Sequence, residues 1–391
     1  MAGDDVDSVL EYEDPETGVR GWLAYHGDSS PMAAGGCRVQ PMIDRAALVQ
    51  LAERMTLKQR VLGLNVNGGK CGIAFDPRSD RKAEALGGFL RFLRDELHNR
   101  FSMGPDMGTQ WMELQTLAVR NGIPSVKYAI RSAQRLTDEE FFGRMNLLEE
   151  QVGMLTLAQR RAGCVLAHTA LAAAKVAGAS GTVSVALQGF GNLGRAAAAS
   201  LVEEGVRVVA VSDEYGCIVN SAGLDVVTML SRKQGLPVQE LGVPGERRPT
   251  EGIFRVEADV LILAANQDAL SVEEAELAPI GAISVGSNYG LSAPAEDILA
   301  ARGVVVVPDF IGGIGGSASM EALFGPQSRP SPKTVLDSLA RMSRDLVADL
   351  CWTAHQHGIS NAAAAQVLAD RCQVSRDAPP YGHCPYLKSR S

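Results

Sequence analysis

The 391-residue chain has no C-x-x-C pair. Its seven cysteines (Cys37, Cys71, Cys164, Cys217, Cys351, Cys372 and Cys384) are scattered and odd in number, which excludes a fully paired disulfide framework and a zinc ribbon. A reducing cytoplasm is the expected compartment. No apolar run approaches the roughly 18 residues that a membrane-spanning helix needs, and the acidic opening Met1-Ala-Gly-Asp-Asp5 is no secretory leader, so no membrane partner is expected. Positive charge is also scarce. A net charge of −8, a pI near 5.4 and the lack of any Lys/Arg cluster leave nothing to neutralise phosphate backbones, which excludes nucleic acid as a partner. There is no internal repeat. His355 and His357 stand two apart, on different faces of a helix, so no metal site is expected.

What remains is an ordinary globular composition, with 46% hydrophobic and 21% charged residues. The length exceeds that of a usual single core and predicts two domains with a cleft. Residues 1–135 read as a first α/β domain, with a strand-like Gly21-Trp-Leu-Ala-Tyr25 and a helical pattern from Asp44 to Leu62. Thr137-Asp-Glu-Glu140 has the form of a capping box and predicts a helix through about Gln151. Within residues 136–330, apolar runs at Thr182–Leu187, Val206–Val211, Val260–Ala264, Ala282–Val285 and Val304–Val307 alternate with helical stretches. Such runs predict a parallel, doubly wound sheet covered on both faces. Residues 331–391 read as C-terminal helices followed by a loose Pro/Gly tail from Asp377. The expected fold is α/β, with an N-terminal substrate domain and a Rossmann-type dinucleotide-binding domain.

Gly189-Phe190-Gly191-Asn192-Leu193-Gly194 fits G-x-G-x-x-G, follows a strand and opens a helix. In that setting the glycines allow the tight turn and the close approach of a pyrophosphate, which the free N–H groups of the helix would hold. A second strand ends at Asp213, placed to accept from the ribose 2′-OH, and this favours NAD over NADP. Glu214 could share the role. Asn288, just past a later strand, lies at the sheet edge where such folds bind ligands; its alternative reading is a turn residue.

Lys58 falls inside the apolar stripe formed by Leu48, Leu51, Met55 and Leu62, so it must either snorkel outward or meet an anion. Lys70 follows Gly68-Gly69 and precedes the strand-like Cys71–Phe75. Two lysines in one buried cleft would repel and lower each other's pKa, as a catalytic amine requires. Asp106, between Gly104-Pro105 and Gly108, sits on a constrained turn and is suited either to proton transfer or to a plain Asx turn.

Together Gly35-Gly36-Cys-Arg38, Met55-Thr-Leu-Lys58, Gly68-Gly-Lys70, Gly104-Pro-Asp-Met-Gly108, the Gly189–Gly194 turn and Pro308-Asp-Phe-Ile-Gly-Gly-Ile-Gly-Gly316 resemble, in order, the motifs of the glutamate/leucine/phenylalanine/valine dehydrogenase family. The resemblance covers most of the chain. It implies that Lys58 binds a substrate α-carboxylate, that Lys70 activates water or stabilises charge at the 2-carbon, and that Asp106 exchanges protons with the amino nitrogen. It also implies NAD-linked, reversible deamination of an amino acid to its 2-oxo acid, and a homo-oligomer. Glutamate-specific members carry a lysine where this chain has Ala34, and with Gly104, Ser317 and Met320 also small or flexible, an apolar or aromatic substrate is expected. Two stretches depart from the family pattern. The usual Thr-x-x-Gly near the nicotinamide reads Gln159-Arg-Arg-Ala-Gly-Cys164, and the usual asparagine of the last motif is Gly313. The alternatives are a specialised reductase of imines or 2-oxo acids and a silent nucleotide-binding homologue; the retention of Lys58, Lys70 and Asp106 argues against the latter.

Overall fold

The computed structural model describes residues 8–265 and 268–387. They form two compact units. One holds the described residues through Met145 together with Phe324–Arg329 and 369–387; the other holds Asn146–Leu323 and Pro330–Leu368.

The first unit contains β1 (Ser8–Glu13), β2 (Arg20–His26), β3 (Ala33–Val39), α1 (Arg45–Val61), β4 (Asn67–Ile73), α2 (Lys82–Phe92), α3 (Arg94–Asn99), β5 (Phe101–Pro105), α4 (Trp111–Arg120), α5 (Ala129–Ala133) and α6 (Asp138–Met145). The strands make one sheet in the order β1-β2-β4-β3-β5, parallel only at β4-β3-β5. One face carries the main core of Leu23, Phe89, Phe101, Met103 and Leu114. On the other face Trp22 and Ala24 meet Leu48 and Ala52 of α1. Asp44 caps α1 by accepting from the Ala47 N–H at 2.8 Å.

β4 reads Asn-Gly-Gly-Lys-Cys-Gly-Ile, and every residue of it is buried. Lys70 therefore lies within a strand, not ahead of it. Three glycines disfavour a strand by propensity, but here α1 and β3 approach too closely for side chains, and packing overrides propensity. A Cβ on Gly68 would sit 2.0 Å from Ala52 O, and one on Gly35 would sit 1.5 Å from Gly69 O.

The capping box at Thr137 forms, with Glu140 Oε2 accepting from Thr137 N at 2.8 Å and Thr137 Oγ1 accepting from Glu140 N at 3.2 Å. The helix ends earlier than expected, at Met145, and passes through a 3₁₀ turn. Gln151 opens a short hairpin, β6 (Gln151–Val152) with β7 (Leu155–Thr156). The tail is not loose: Asn65 Nδ2 donates to Ser375 O and Ala378 O, Tyr381 stacks on Phe324, and Cys384 is buried.

The second unit continues with α7 (Leu157–Val176), β8 (Ser184–Gln188), α8 (Asn192–Glu203), β9 (Arg207–Ser212), β10 (Cys217–Val219), α9 (Val226–Ser231), β11 (Glu246–Arg248), β12 (Ala258–Leu263), α10 (Val272–Leu277), β13 (Ile280–Val285), α11 (Ala293–Ala301), β14 (Val305–Val307), α12 (Asp309–Gly312), α13 (Gly315–Phe324), α14 (Pro332–His357) and α15 (Asn361–Asp370). Its sheet has the order β11-β10-β9-β8-β12-β13-β14, parallel from β9 to β14. Core residues of α10 and α11 (Ala275, Ala295, Leu299) cover one face, while α7 packs against β12 and β13 as well as α8 and α14. This is the doubly wound fold expected from the apolar runs. Chain order reverses between β8 and β12, so a crevice opens beyond the C-terminal ends of those strands, where such sheets bind ligands.

Candidate active site

On the α1-covered face of the first unit, alternation along the strands gathers the residues singled out from sequence. Gly68 and Lys70, two apart on β4, share that face. Thr56 Oγ1, within the Met55–Lys58 motif, accepts the Gly68 N–H at 2.8 Å and ties the helix that carries Lys58 to the strand that carries Lys70. Lys58 is buried on α1, only 7% exposed, and does not snorkel.

Lys70 Nζ is ion-paired with Asp106 Oδ2. The expected mutual repulsion of two lysines is thus replaced at Lys70 by attraction to a carboxylate. Asp106 ends β5 and is held further by Arg38, whose Nη2 donates to Oδ2 at 3.3 Å, and by Met107 N, which donates to Oδ1 at 2.7 Å. The Asp106 carboxylate thus both braces the turn, through Met107 N, and pairs with Lys70. Thr109 Oγ1 steadies the turn by accepting from Asp106 N at 2.9 Å and donating to Cys37 O at 2.8 Å. Burial pushes the Asp106 carboxyl up, but Lys70 and Arg38 outweigh it and hold the group well below the usual carboxylate range. Asp106 is therefore ionised at neutral pH.

Gly36 completes the contact from β3. A Cβ there would lie 2.9 Å from Asp106 Cβ and 3.2 Å from Lys70 Nζ. Gly36 pairs in register with Gly104, and Ala34 with Ser102, so these small residues floor the face. Ser102 Oγ is buried there without a hydrogen-bond partner, a position that a polar ligand atom would satisfy. Two charged residues of this face were not singled out from sequence. Arg38 was visible only as part of the Gly35–Arg38 motif, and Lys127, buried over Trp111, follows a turn with no periodic pattern to mark it.

In the second unit the Gly189–Gly194 turn has the geometry expected of it. Gly189 has φ +91°, a conformation that L side chains rarely adopt, and a Cβ on Gly194 would strike Gly189 O at 1.8 Å. Over Gly191, by contrast, a Cβ would meet nothing within 4 Å, which leaves room for a ligand at the start of α8. No side chain caps that helix, so the N–H groups of Asn192, Leu193 and Gly194 face outward. Phe190 is buried beside Arg195, and Asn192 accepts from Gln234 Nε2 at 2.7 Å. Gln188 Oε1 and Ser212 Oγ, at the C-terminal ends of β8 and β9, are buried and unpartnered. A phosphate at α8 with polar groups beyond these strands suits a dinucleotide.

Asp213 follows β9, but its carboxylate already accepts from Tyr215 N, Gly216 N and Val238 N at 2.9, 3.0 and 2.7 Å. The turn thus takes most of its acceptor capacity, and exposed Glu214 stands beside it. Asn288 lies half-buried in the segment after β13. Ser317 and Met320 are buried on α13. A cavity of about 720 Å³ lies at the opposite edge of this sheet, lined by Ser184, Arg207, Arg248 and Asp259. Asp259 there is engaged by the Ser184 N–H and hydroxyl and Arg248 by Glu246, and the cavity faces the strand ends that doubly wound sheets do not use. Among the described residues no helix is long and apolar enough to cross a membrane.

Residues 158–375 match the family model described as Glutamate/Leucine/Phenylalanine/Valine dehydrogenase, and residues 7–120 match that of its dimerisation domain. An NADP(+)-dependent glutamate dehydrogenase of Pyrobaculum calidifontis is 30% identical over 76% of this chain and 70% of its own length. An NAD-specific glutamate dehydrogenase of Staphylococcus aureus is 27% identical over 76% of this chain and 70% of its own. Among solved structures, a hetero-hexameric glutamate dehydrogenase of Thermus thermophilus in its Leu-bound form superposes with a TM-score of 0.73 at 26% identity, covering 93% of this chain and 87% of that one.

Proposed function

The chain belongs to the glutamate/leucine/phenylalanine/valine dehydrogenase family and is an oxidoreductase, and from that premise we propose that it catalyses the reversible, NAD-linked oxidative deamination of an amino acid other than glutamate. The observation that carries this reading is the buried Lys70–Asp106 pair, set on one face with Gly36 and Gly104 and braced by Arg38.

Lys58 holds the substrate α-carboxylate as a buried charge-assisted pair. Asp106, ionised, accepts a proton from the substrate ammonium; once the α-carbon has given up its hydride, water adds to the C=N carbon with its protons passing to the departing nitrogen, and Lys70 stabilises the negative charge that develops at the oxygen. The 2-oxo acid and ammonia leave. NAD, when bound, supplies the hydride acceptor for the α-carbon. Gly189, Gly191 and Gly194, with the outward N–H groups of Asn192 and Leu193, would hold its pyrophosphate; Phe190 backs the turn and Asn288 lies along the same sheet edge. Asp213 and Glu214 put negative charge at the end of β9, which disfavours a 2′-phosphate and supports NAD over NADP. Ala34 offers no cation to a distal carboxylate, and Gly104 in the first unit and Ser317 and Met320 in the second are small or flexible, which suits an apolar or aromatic side chain. The family's dimerisation-domain match and the hetero-hexameric relative support an oligomer, which we read as a homo-oligomer, and seven free cysteines suit a reducing cytoplasm.

A panel of 2-oxo acids with ammonia and either NADH or NADPH tests this reading. The expected outcome is ammonia-dependent oxidation of NADH that is faster with alkyl or aryl 2-oxo acids than with 2-oxoglutarate. Faster turnover of 2-oxoglutarate, or a preference for NADPH, would refute the respective assignment.

A further inference from the structure

The segment Gln159-Arg-Arg-Ala-Gly-Cys164 departs from the family pattern, and two of its polar residues are explained within the fold. Gln159 completes a capping box with Thr156 at the start of α7. Arg160 is buried but paired with Glu203 and Ser200. Arg161 has no such explanation.

Arg161 is 7% exposed, and no carboxylate meets it among the described residues. Its Nε reaches only Ala158 O, at 3.4 Å, and its Nη1 donates to Ser319 Oγ at 3.0 Å. A guanidinium has five N–H donors, so most of this one is unspent. Nη2 has no acceptor among the described residues and is not sealed from solvent. Arg195, similarly buried, differs in donating to the carbonyls of Met229, Leu230 and Arg232. Burial pushes the Arg161 pKa down to about 10 with no anion to offset it. An unpaired buried charge is strongly unfavourable, and its presence calls for a counter-charge that arrives from outside the chain.

The surroundings show where that charge would sit. Ser319 Oγ, which receives Arg161, itself donates to Gly316 O at 2.9 Å, so the guanidinium lies against the first turn of α13. This helix is packed on either side of Gly316: a Cβ on Gly315 would strike Ala162 Cα at 2.7 Å, and Ser317 is buried. At Gly316 itself a Cβ would meet nothing within 4 Å. Gly316 is exposed at the start of α13; Ser317 N and Ala318 N there already donate to Ile314 O, so the helix end contributes chiefly the positive end of its dipole.

We propose that Arg161 and the first turn of α13 form a carboxylate-binding site over Gly316. One guanidinium and one helix end balance a single negative charge, which suits a carboxylate better than a phosphate dianion, and the planar fork matches a carboxylate edge to edge. The carboxylate comes either from a free organic acid or, against the apolar preference proposed above, from a second acidic group on the substrate. The substrate source rests on the deamination reading; the site itself does not.

The test is the melting temperature of the full-length protein in sodium succinate against sodium chloride of equal ionic strength. The parent protein should be stabilised by succinate, Arg161→Met should not respond, and Arg161→Lys should respond weakly. Gly316→Val, which fills the opening and leaves Arg161 in place, should also abolish the response. No response in the parent protein, or equal responses in the parent and Gly316→Val, would overturn the site. The source follows from kinetics. If Arg161→Met raises KM for 2-oxoglutarate by roughly tenfold or more and spares an alkyl 2-oxo acid, the substrate brings the carboxylate; if both KM values hold while the succinate response is lost, a free acid does. If no 2-oxo acid turns over, the deamination reading fails while the succinate comparison still decides the site.

Discussion

At the scale of single residues the account turns on charges out of water. Lys58→Ala removes a charge-assisted contact worth about 1.5–3 kcal/mol, so KM for the 2-oxo acid should rise by roughly ten- to a hundredfold while NADH binding, read by fluorescence, is unchanged. Asp106→Asn should lower kcat by roughly 10²–10⁴-fold, the usual contribution of a positioned proton-transfer group. Because Lys70 and Arg38 depress the Asp106 pKa in the folded state, its contribution to stability is present above about pH 4, the unfolded value, and is lost as the pH falls toward the folded one. Thermal melts of Asp106→Asn should accordingly depend less on pH below about 4 than those of the parent protein. Arg38→Met should move the acid limb of the kcat/KM profile upward in pH, and an unmoved limb would mean that Arg38 does not set the ionisation of Asp106. Lys58, Lys70 and Asp106 were legible in the sequence because a lysine in an apolar stripe and an acid between glycines are conspicuous. Arg38 as the partner of Asp106 was not, because that ion pair joins residues 68 apart along the chain. Lys127 was hidden for a similar reason, since a tertiary contact with Trp111 buries it.

At the scale of elements, steric fit decides what propensity does not. α1 rests on β4 because Gly68 has no side chain and Thr56 receives its N–H. Gly68→Ala would force Ala52 O and Thr56 N to give way from 2.0 and 2.4 Å. The expected result is a loss of about 1–3 kcal/mol in chemical denaturation together with a raised KM, because the helix carrying Lys58 shifts against the strand carrying Lys70. A glycine-rich strand is hard to recognise from sequence, which is why Lys70 reads as a residue before the strand. The apolar runs of the second sheet were legible because parallel strands buried on both faces need them. The helix after Thr137 is shorter than its sequence suggests because a capping box marks its beginning and nothing comparable marks its end at Met145. The tail beyond Asp377 reads as loose because its anchors, Asn65 and Phe324, are distant in sequence.

At the scale of the whole molecule, one unit supplies amines and a carboxylate, and the other supplies a glycine turn and an open helix N-terminus. The fold and the family were legible in the order of these motifs, whereas the substrate was not, because side-chain selectivity depends on a few separate positions and not on a motif. The central claim is that Lys70 and Asp106 serve hydride transfer at an α-carbon. It is tested most directly by running the reductive direction with ammonia, the best 2-oxo acid and NADH deuterated at the transferring position, then weighing the amino acid formed. The account predicts deuterium at the α-carbon of the product in the parent protein, and no labelled product from Lys70→Ala although that variant still binds NADH. An unlabelled amino acid, or undiminished labelling by Lys70→Ala, would contradict it.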